Sequence, residues 1–178
     1  MSILVPFKAI RPIENKALDI ASRPYDVLNE VEAKEACKDN PNSFYHVIKP
    51  EIDFDIDHDH YAPEVYKKGV ENFNELMTKQ LMLQDDDLSF YVYQIIMDGH
   101  KQTGLVGCCS IDDYFNNVIK KHELTRPDKE EDRKNHVRYS KMNYEPVFFS
   151  YPHVNEVDVI VEGAKVGKPA YDLKTEDG

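Results

Sequence analysis

Residues 88–110 read LSFYVYQIIMDGHKQTGLVGCCS, with an apolar run on each side of Asp98-Gly99. Asp-Gly between two apolar runs is typical of a type I′ turn, so we predict a hairpin with strands over 88–97 and about 100–110. Both strands are apolar on nearly both faces. This pattern predicts that the hairpin lies at the centre of a covered sheet.

The segment before this hairpin contains two helical patterns. Asn29 and Glu32 stand at the positions of a reciprocal capping box, which predicts a helix of about ten residues. From Ala62 or Pro63 to about Lys79, apolar residues recur at three- and four-residue steps and predict a helix with one core-facing side. We therefore predict an α/β fold in a single domain, with helices packed on a mixed, largely antiparallel sheet.

Two shorter apolar runs are predicted to be strands. Residues 43–48 read SFYHVI, alternate in character and end before Pro50. Residues 146–151 read PVFFSY and are predicted to be a buried strand. His46 lies in the first of these runs, and we interpret it as a hydrogen-bonded structural histidine rather than a ligand.

Composition limits the classes of function. The chain has 178 residues, enough for a domain with a hydrophobic core, and a net charge of −11, which argues against a nucleic-acid surface. A local group of cations could still bind a small anion. Cys37, Cys108 and Cys109 give no disulfide framework and predict reduced thiols in a cytoplasmic protein. No segment is apolar for long enough to span a bilayer, so we expect no membrane partner.

The most highly charged stretch is IKKHELTRPDKEEDR, residues 119–133, in which ten of fifteen residues are Lys, Arg, Asp or Glu. Thr125 is a good helix N-cap and Pro127 suits the first turn. The stretch therefore predicts a helix that starts after Thr125 and continues to about Met142.

On this helix Lys129, Arg133 and His136 are separated by four and three residues and share one face. A helix start with cations on one flank and free N–H groups at its end can hold a phosphate or a carboxylate. The alternative is a solvated helix with ion pairs between neighbouring turns. Both interpretations fit the composition.

The loop Ser22–Val27 has unusual chemistry. Arg23, Tyr25 and Asp26 place a cation, a phenol and a carboxylate within four residues, and Pro24 fixes the backbone. The loop is either part of a binding site or a rigid turn.

Residues 53–60 read DFDIDHDH, with Glu64 at the twelfth position counted from Asp53. The spacing resembles a Ca²⁺-binding loop, but His58 stands where that loop needs glycine. A transition metal at His58 and His60 is chemically possible. We favour an acidic surface loop and predict no metal site.

Four short motifs follow one another along the chain: PFKA (6–9), RPYDV (23–27), NPNSF (40–44) and KHELT (121–125), the last continuing through Lys129 and Asp132-Arg133. With these motifs the chain resembles the domain of unknown function 1015 family (DUF 1015), and the similarity covers essentially the whole chain, in order. Members of that family are longer. The resemblance therefore implies that this chain is an N-terminal part and that the missing C-terminal half is one of its partners.

The resemblance also implies a chemistry. The later half of family members carries an Asp-Gly-His-His-Arg motif, which suggests kinship with ParB/sulfiredoxin-like proteins, among them free-serine kinases. Members often sit beside serine-biosynthesis genes in bacteria. The implied activity is phosphoryl transfer on serine or phosphoserine, by a kinase or a phosphatase. The only related string here is Asp98-Gly99-His100-Lys101, at the predicted turn. Without the full motif, this chain is expected to bind a ligand but not to catalyse a reaction.

On the enzyme hypothesis, a phosphate or amino-acid ligand is bound by side chains of the loop and the charged stretch: Arg23, Tyr25, Lys121, Arg126, Lys129, Arg133 and His136. The candidates for proton transfer are Glu123, Asp26 and His122. A nucleotide is a possible cofactor, with Mg²⁺ bound mainly through its phosphates.

Two other hypotheses belong to different classes. In the first, the chain is a non-catalytic interaction module whose charged stretch docks on a partner or on the missing half, and an extended hydrophobic face would favour it. In the second, the chain binds a metal through residues 53–60.

Overall fold

The computed structural model describes residues 2–122 and 124–175. The elements follow in the order β1 (Leu4–Val5), β2 (Ile10–Pro12), α1 (Ala17–Ile20), α2 (Glu30–Cys37), α3 (Tyr45–Ile48), α4 (Pro63–Thr78), β3 (Met82–Gln84), β4 (Tyr91–Met97), β5 (His100–Val106), β6 (Cys108–Cys109), α5 (Ile111–Phe115), α6 (Pro127–Ser140) and α7 (Asn155–Ala164). The strands form short sheets in the pairs β1–β6, β2–β3 and β4–β5. The α/β class with antiparallel pairing is confirmed. None of the helices in the described ranges is long and apolar enough to cross a membrane.

Contacts divide the chain into two compact units. The first unit comprises Met1–Arg11, Gln84–Glu123 and Pro146–Gly178. The second unit comprises Pro12–Leu83 and Leu124–Glu145.

The second unit has a hydrophobic core built by its helices. Helix α4 buries one side, as predicted from its apolar spacing, with Val65, Phe73 and Leu76 among the buried residues. Helix α2 begins at the predicted capping box, in which the Asn29 side chain accepts from the Glu32 N–H and the Glu32 carboxylate accepts from the Asn29 N–H, both at 2.9 Å. A cluster of buried side chains fills the space between α2, α3 and the turn after α3: Ala33, Cys37, Tyr45, Ile48 and Ile52.

Residues 43–48 do not form the predicted strand, because residues 45–48 are helix α3. The N–H of Val47 donates to the carbonyl oxygen of Phe44 at 2.9 Å, so the chain turns instead of extending. Tyr45, Val47 and Ile48 are all buried on this turn. In so short a run, alternating apolar residues fit one buried helical turn as well as a strand. The pattern therefore could not distinguish the two structures, and the predicted strand is wrong.

In the first unit, β4 and β5 form the predicted hairpin, from the pair Tyr91–Val106 to the pair Met97–His100. Asp98 and Gly99 have φ angles of 51° and 78°. Positive φ at both central residues defines the type I′ turn, so this prediction is confirmed.

The predicted position of the hairpin is wrong. It is a two-stranded sheet among the residues that the structure describes, and Tyr93, Ile96 and Met97 are 61%, 49% and 63% exposed. The predicted buried strand over 146–151 is also wrong: the segment is irregular, and Phe148 is 77% exposed. Apolar composition shows which side chains gain by burial, but it does not supply the layer that would cover them.

Within the first unit, an ion pair connects Arg11, at the end of the N-terminal segment, to Asp85. Arg11 donates from Nη2 and Nε to the Asp85 carboxylate, at 2.6 and 2.9 Å, and the Tyr91 hydroxyl donates to the same carboxylate at 2.6 Å. The hydrogen bond from Arg11 holds the pKa of Asp85 below its ordinary value. These contacts join the N-terminal segment to the beginning of β4.

Candidate functional site

Helix α6 packs against α4 within the second unit. Most of α6 is charged and exposed, but one face buries His136 and half-buries Asp132 and Arg133. Side chains from α4, α6 and two loops meet at this face and form the group that we call the Arg133 cluster: Tyr25, Tyr66, Asp132, Arg133, His136 and Glu145.

The start of α6 differs from the prediction. Its N-cap is Arg126 rather than Thr125, and the Arg126 side chain forms no capping hydrogen bond. The Thr125 hydroxyl donates instead to the Glu130 carboxylate at 3.1 Å, because that carboxylate lies within reach one turn further on. The helix ends at Ser140, followed by Lys141 with a left-handed φ of 61°.

Arg133 is held between two carboxylates and an aromatic ring. Its Nη2 donates to Asp132 Oδ2 at 2.7 Å and its Nη1 to Glu145 Oε2 at 3.2 Å. The guanidinium carbon lies 3.9 Å from the centroid of the Tyr25 ring, a cation–π contact. Since Nη2 carries two hydrogens and one goes to Asp132, the other has no partner among the residues that the structure describes.

Asp132 joins Arg133 to two further ionisable side chains. The Tyr66 hydroxyl donates to Asp132 Oδ1 at 3.0 Å, and His136 Nε2 lies 3.9 Å from the same oxygen. Burial, reinforced by the negative charge of Asp132, raises the pKa of Tyr66 to about 12. Burial and then the charge of Arg133 lower the pKa of His136 to about 4, against the opposing attraction of Asp132. Near neutral pH both side chains are therefore uncharged.

Glu145 fixes the loop that carries Tyr25. Its Oε1 accepts from the Tyr25 N–H at 3.0 Å, while its Oε2 accepts from Arg133. One carboxylate thus holds the loop backbone and the guanidinium together. Burial raises the pKa of Tyr25, so this phenol stays protonated beside Arg133.

The cluster combines charges of both signs in a small, partly exposed volume. One guanidinium faces two carboxylates, and the Arg133 side chain keeps 27% of its surface exposed. A guanidinium with an unused N–H can bind an anionic oxygen, and a nearby carboxylate can bind an ammonium group. The arrangement therefore suits a ligand that carries both charges better than a bare anion.

The structure brings together three of the predicted ligand-binding residues, namely Tyr25, Arg133 and His136. In the second unit, four other predicted residues have exposed side chains: Arg23, Asp26, Arg126 and Lys129. In the first unit, Lys121 and His122 are exposed, and Glu123 lies outside the described residues. A common anion site that includes these outlying residues stays a prediction.

Two of the outlying cations have local partners. Arg126 is 74% exposed and pairs with Asp128 at 2.6 Å. The ammonium nitrogen of Lys121 lies 4.4 Å from the centroid of the Tyr114 ring.

Sequence reasoning missed three members of the cluster. Asp132 is adjacent to Arg133 and could have been found from that position. Tyr66 belongs to the apolar stripe of α4, whose spacing indicates only that the residue faces the core. Glu145 follows Arg133 by twelve residues across the end of the helix, and the sequence contains no signal for their contact.

Residues 53–60 do not assemble a metal site in the described part of the chain. His58 Nε2 lies 3.6 Å from Glu64 Oε1, and His60 Nε2 lies 2.7 Å from Glu30 Oε2. These are separate His–Glu pairs. No group of three or more potential ligands with suitable geometry occurs among the described residues.

His46 is hydrogen-bonded, as predicted, and its interpretation as a structural residue rather than a ligand stays a prediction. Its Nδ1 lies 2.6 Å from Asp53 Oδ1, and the Asn72 amide donates to Asp53 Oδ2 at 2.7 Å. Burial opposes ionisation of Asp53, but these two hydrogen bonds outweigh it and lower its pKa. A cavity of about 20 Å³ beside His46 and Asn72 has room for a single water molecule.

A family model with the description 'Protein of unknown function (DUF1015)' matches residues 4–178 of the chain. No curated protein and no solved structure matches the chain.

Proposed function

This chain belongs to the DUF1015 family, and from that premise we propose that the Arg133 cluster binds an amino-acid ligand, serine or phosphoserine, in an enzyme of phosphoryl transfer. The enzyme would be a kinase or a phosphatase. The observation that carries the proposal is the position of Arg133, between the Tyr25 ring and the carboxylates of Asp132 and Glu145.

The charge balance of the cluster supports a zwitterionic ligand. A bare phosphate would meet one guanidinium and two carboxylates, so repulsion would cancel much of the attraction. An amino acid can place its carboxylate or phosphate on the free N–H of Arg133 and its ammonium group against Glu145. Glu145 is suited to that role because it is already fixed by the Tyr25 backbone.

The remaining residues of the enzyme proposal surround this cluster in sequence. Arg23, Lys121, Arg126 and Lys129 are proposed as outer cations for a phosphate group. Asp26, His122 and Glu123 are proposed as the proton carriers. A nucleotide with Mg²⁺ bound through its phosphates completes the proposal. The kinship with ParB/sulfiredoxin-like serine kinases rests on the resemblance alone.

Ligand-induced stabilisation tests this function. Phosphoserine and serine are expected to raise the Tm of the full chain more than inorganic phosphate does, because binding to the folded state stabilises it by mass action. ADP and ATP in the same screen test the nucleotide. Arg133→Lys should abolish the shift, since lysine keeps the charge but lacks the planar fork of donors.

Arg138→Lys is the matched control for that variant. Arg138 lies on the same helix but pairs with Glu131 and Asn135 outside the cluster. A shift that survives Arg133→Lys, or one produced equally by inorganic phosphate, would show that the cluster does not bind the amino acid.

A second candidate function, the interaction module, is supported by the surface of the first unit. Of the buried hydrophobic residues that the structure describes, only Val161 belongs to this unit. Large apolar side chains are exposed along its hairpin, its 146–151 segment and α7. Such a surface is typical of protein–protein contact, with a partner or with further sequence of a longer protein.

We also propose that the protein is cytoplasmic. Cys37, Cys108 and Cys109 are free thiols, and reduced cysteines support a cytoplasmic protein.

A further inference from the structure

The hairpin of the first unit has an unpaired edge. Strand β4 pairs only with β5 among the residues that the structure describes, and its other side faces no strand. The side chains of Tyr93, Ile95, Ile96 and Met97 are exposed on both faces of the strand. A long, exposed, apolar edge of this kind is a template for pairing with another strand.

The turn geometry fixes which backbone groups face that edge. Next to a two-residue turn, the flanking residues Met97 and His100 exchange both of their hydrogen bonds. Hydrogen bonding alternates along an antiparallel pair, so the odd-numbered residues of β4 turn their N–H and C=O groups to β5. Val92, Gln94 and Ile96 therefore direct theirs to the outer edge.

We propose that this edge pairs with the same edge of a second copy of the chain, across a two-fold axis at Gln94. The two hairpins then form one four-stranded antiparallel sheet in a homodimer. The surface lies in the first unit and shares no residue with the Arg133 cluster, so the proposal does not rest on the proposed function.

The edge is self-complementary in this register. Gln94 faces Gln94 of the partner subunit, and Val92 faces Ile96 of the partner subunit. Val92, Gln94 and Ile96 are the residues whose N–H and C=O groups point outward. In this register all of these groups form hydrogen bonds with the partner strand. On the opposite face, Tyr93 lies against Ile95 of the partner subunit, an aromatic–aliphatic pair that favours sheet pairing.

Charge also favours a second copy of β4. The seven residues of β4, YVYQIIM, include no Lys, Arg, Asp or Glu, although 31% of the chain is charged. Self-pairing therefore sets no like charges opposite each other, despite the net charge of −11. The edge of β5 is less suited, because it carries Lys101.

Cysteine cross-linking tests the register directly. Opposed hydrogen-bonded residues have Cα atoms about 5.5 Å apart, a separation that a disulfide can span. In a Cys108→Ser, Cys109→Ser background, which removes the two exposed thiols, Gln94→Cys should give a covalent dimer on mild oxidation.

Val92→Cys is the matched control. In the proposed register, position 92 and its copy in the partner are offset by four residues along the strand, about 13 Å, too far for a disulfide. Cross-linking by Gln94→Cys alone supports the proposal. Equal cross-linking by both variants, or none by Gln94→Cys, overturns it.

Mass measurement by light scattering gives a second readout. The chain is expected to reach twice its mass of 20.7 kDa as its concentration rises. Ile96→Lys, which puts a charge on the outer edge, should return it to the monomer, whereas Gln102→Lys on β5 should not. A monomer at every concentration, or a dimer that persists in Ile96→Lys, overturns the proposal.

Discussion

Lowering the pH from 7 to 4 is expected to remove about 3 kcal/mol from the free energy of unfolding of the second unit through His136 alone. The pKa of this buried histidine falls from 6.5 to about 4 on folding, and each pKa unit corresponds to about 1.4 kcal/mol. Between these two values the unfolded chain binds the proton and the folded chain does not. The contribution of His136 to the free energy of unfolding is therefore fully present above pH 6.5 and decreases as the pH falls towards 4. Well below pH 4 both states bind the proton, and this group no longer changes the stability.

Urea unfolding across this pH range measures the effect, and His136→Gln should remove the corresponding part of the slope. An NMR titration of the histidine ring protons measures the pKa directly. The prediction is wrong if His136 titrates near 6.5, or if the His136→Gln variant keeps the full pH dependence of the natural chain.

Gly69→Ala is expected to destabilise the second unit by about 2 kcal/mol, although alanine is the better helix former. A Cβ atom at position 69 would lie 2.9 Å from the carbonyl oxygen of Val47 and 3.2 Å from the Pro50 side chain. The nearest of these atoms is backbone, so the clash can be relieved only by moving α4 away from α3. Loss of packing between these helices then outweighs the gain in helix propensity.

Gly163→Ala is the matched control, because nothing lies within 4 Å of a Cβ at that position. With no clash to relieve, helix α7 should gain roughly 0.5–1 kcal/mol from the same substitution. Amide hydrogen exchange of α4 and α7 measures both effects helix by helix. Opposite signs are expected, and protection of α4 that is unchanged or increased by Gly69→Ala would contradict the proposed close approach.

The parts of the fold that were predicted correctly depend on neighbours in sequence. The capping box at Asn29 needs only Glu32, three residues later. The turn at Asp98-Gly99 needs only residues that tolerate positive φ. Helix α4 is long enough for its apolar period to identify one side without reference to the rest of the chain.

The candidate site was predicted in part for the same reason. Tyr25 and Arg133 were each recognised from unusual local chemistry, and the structure brings them to 3.9 Å. Their contacts with Glu145, and the hydrogen bond from Tyr66 to the neighbouring Asp132, depend on tertiary packing, which no local pattern encodes. These partners matter for the proposed function, because two carboxylates beside Arg133 favour a zwitterionic ligand over a bare anion.

The sequence by itself determined the starts of α2 and α4 and the hairpin turn, because each of these follows from interactions within a few residues. Only the tertiary structure decided that residues 45–48 coil into a buried turn, that His136 loses its charge, and that the hairpin stays a two-stranded sheet among the described residues. Burial depends on which distant segments pack together. The pKa of a histidine and the pairing of a strand edge are therefore set by the fold and not by the residues next to them.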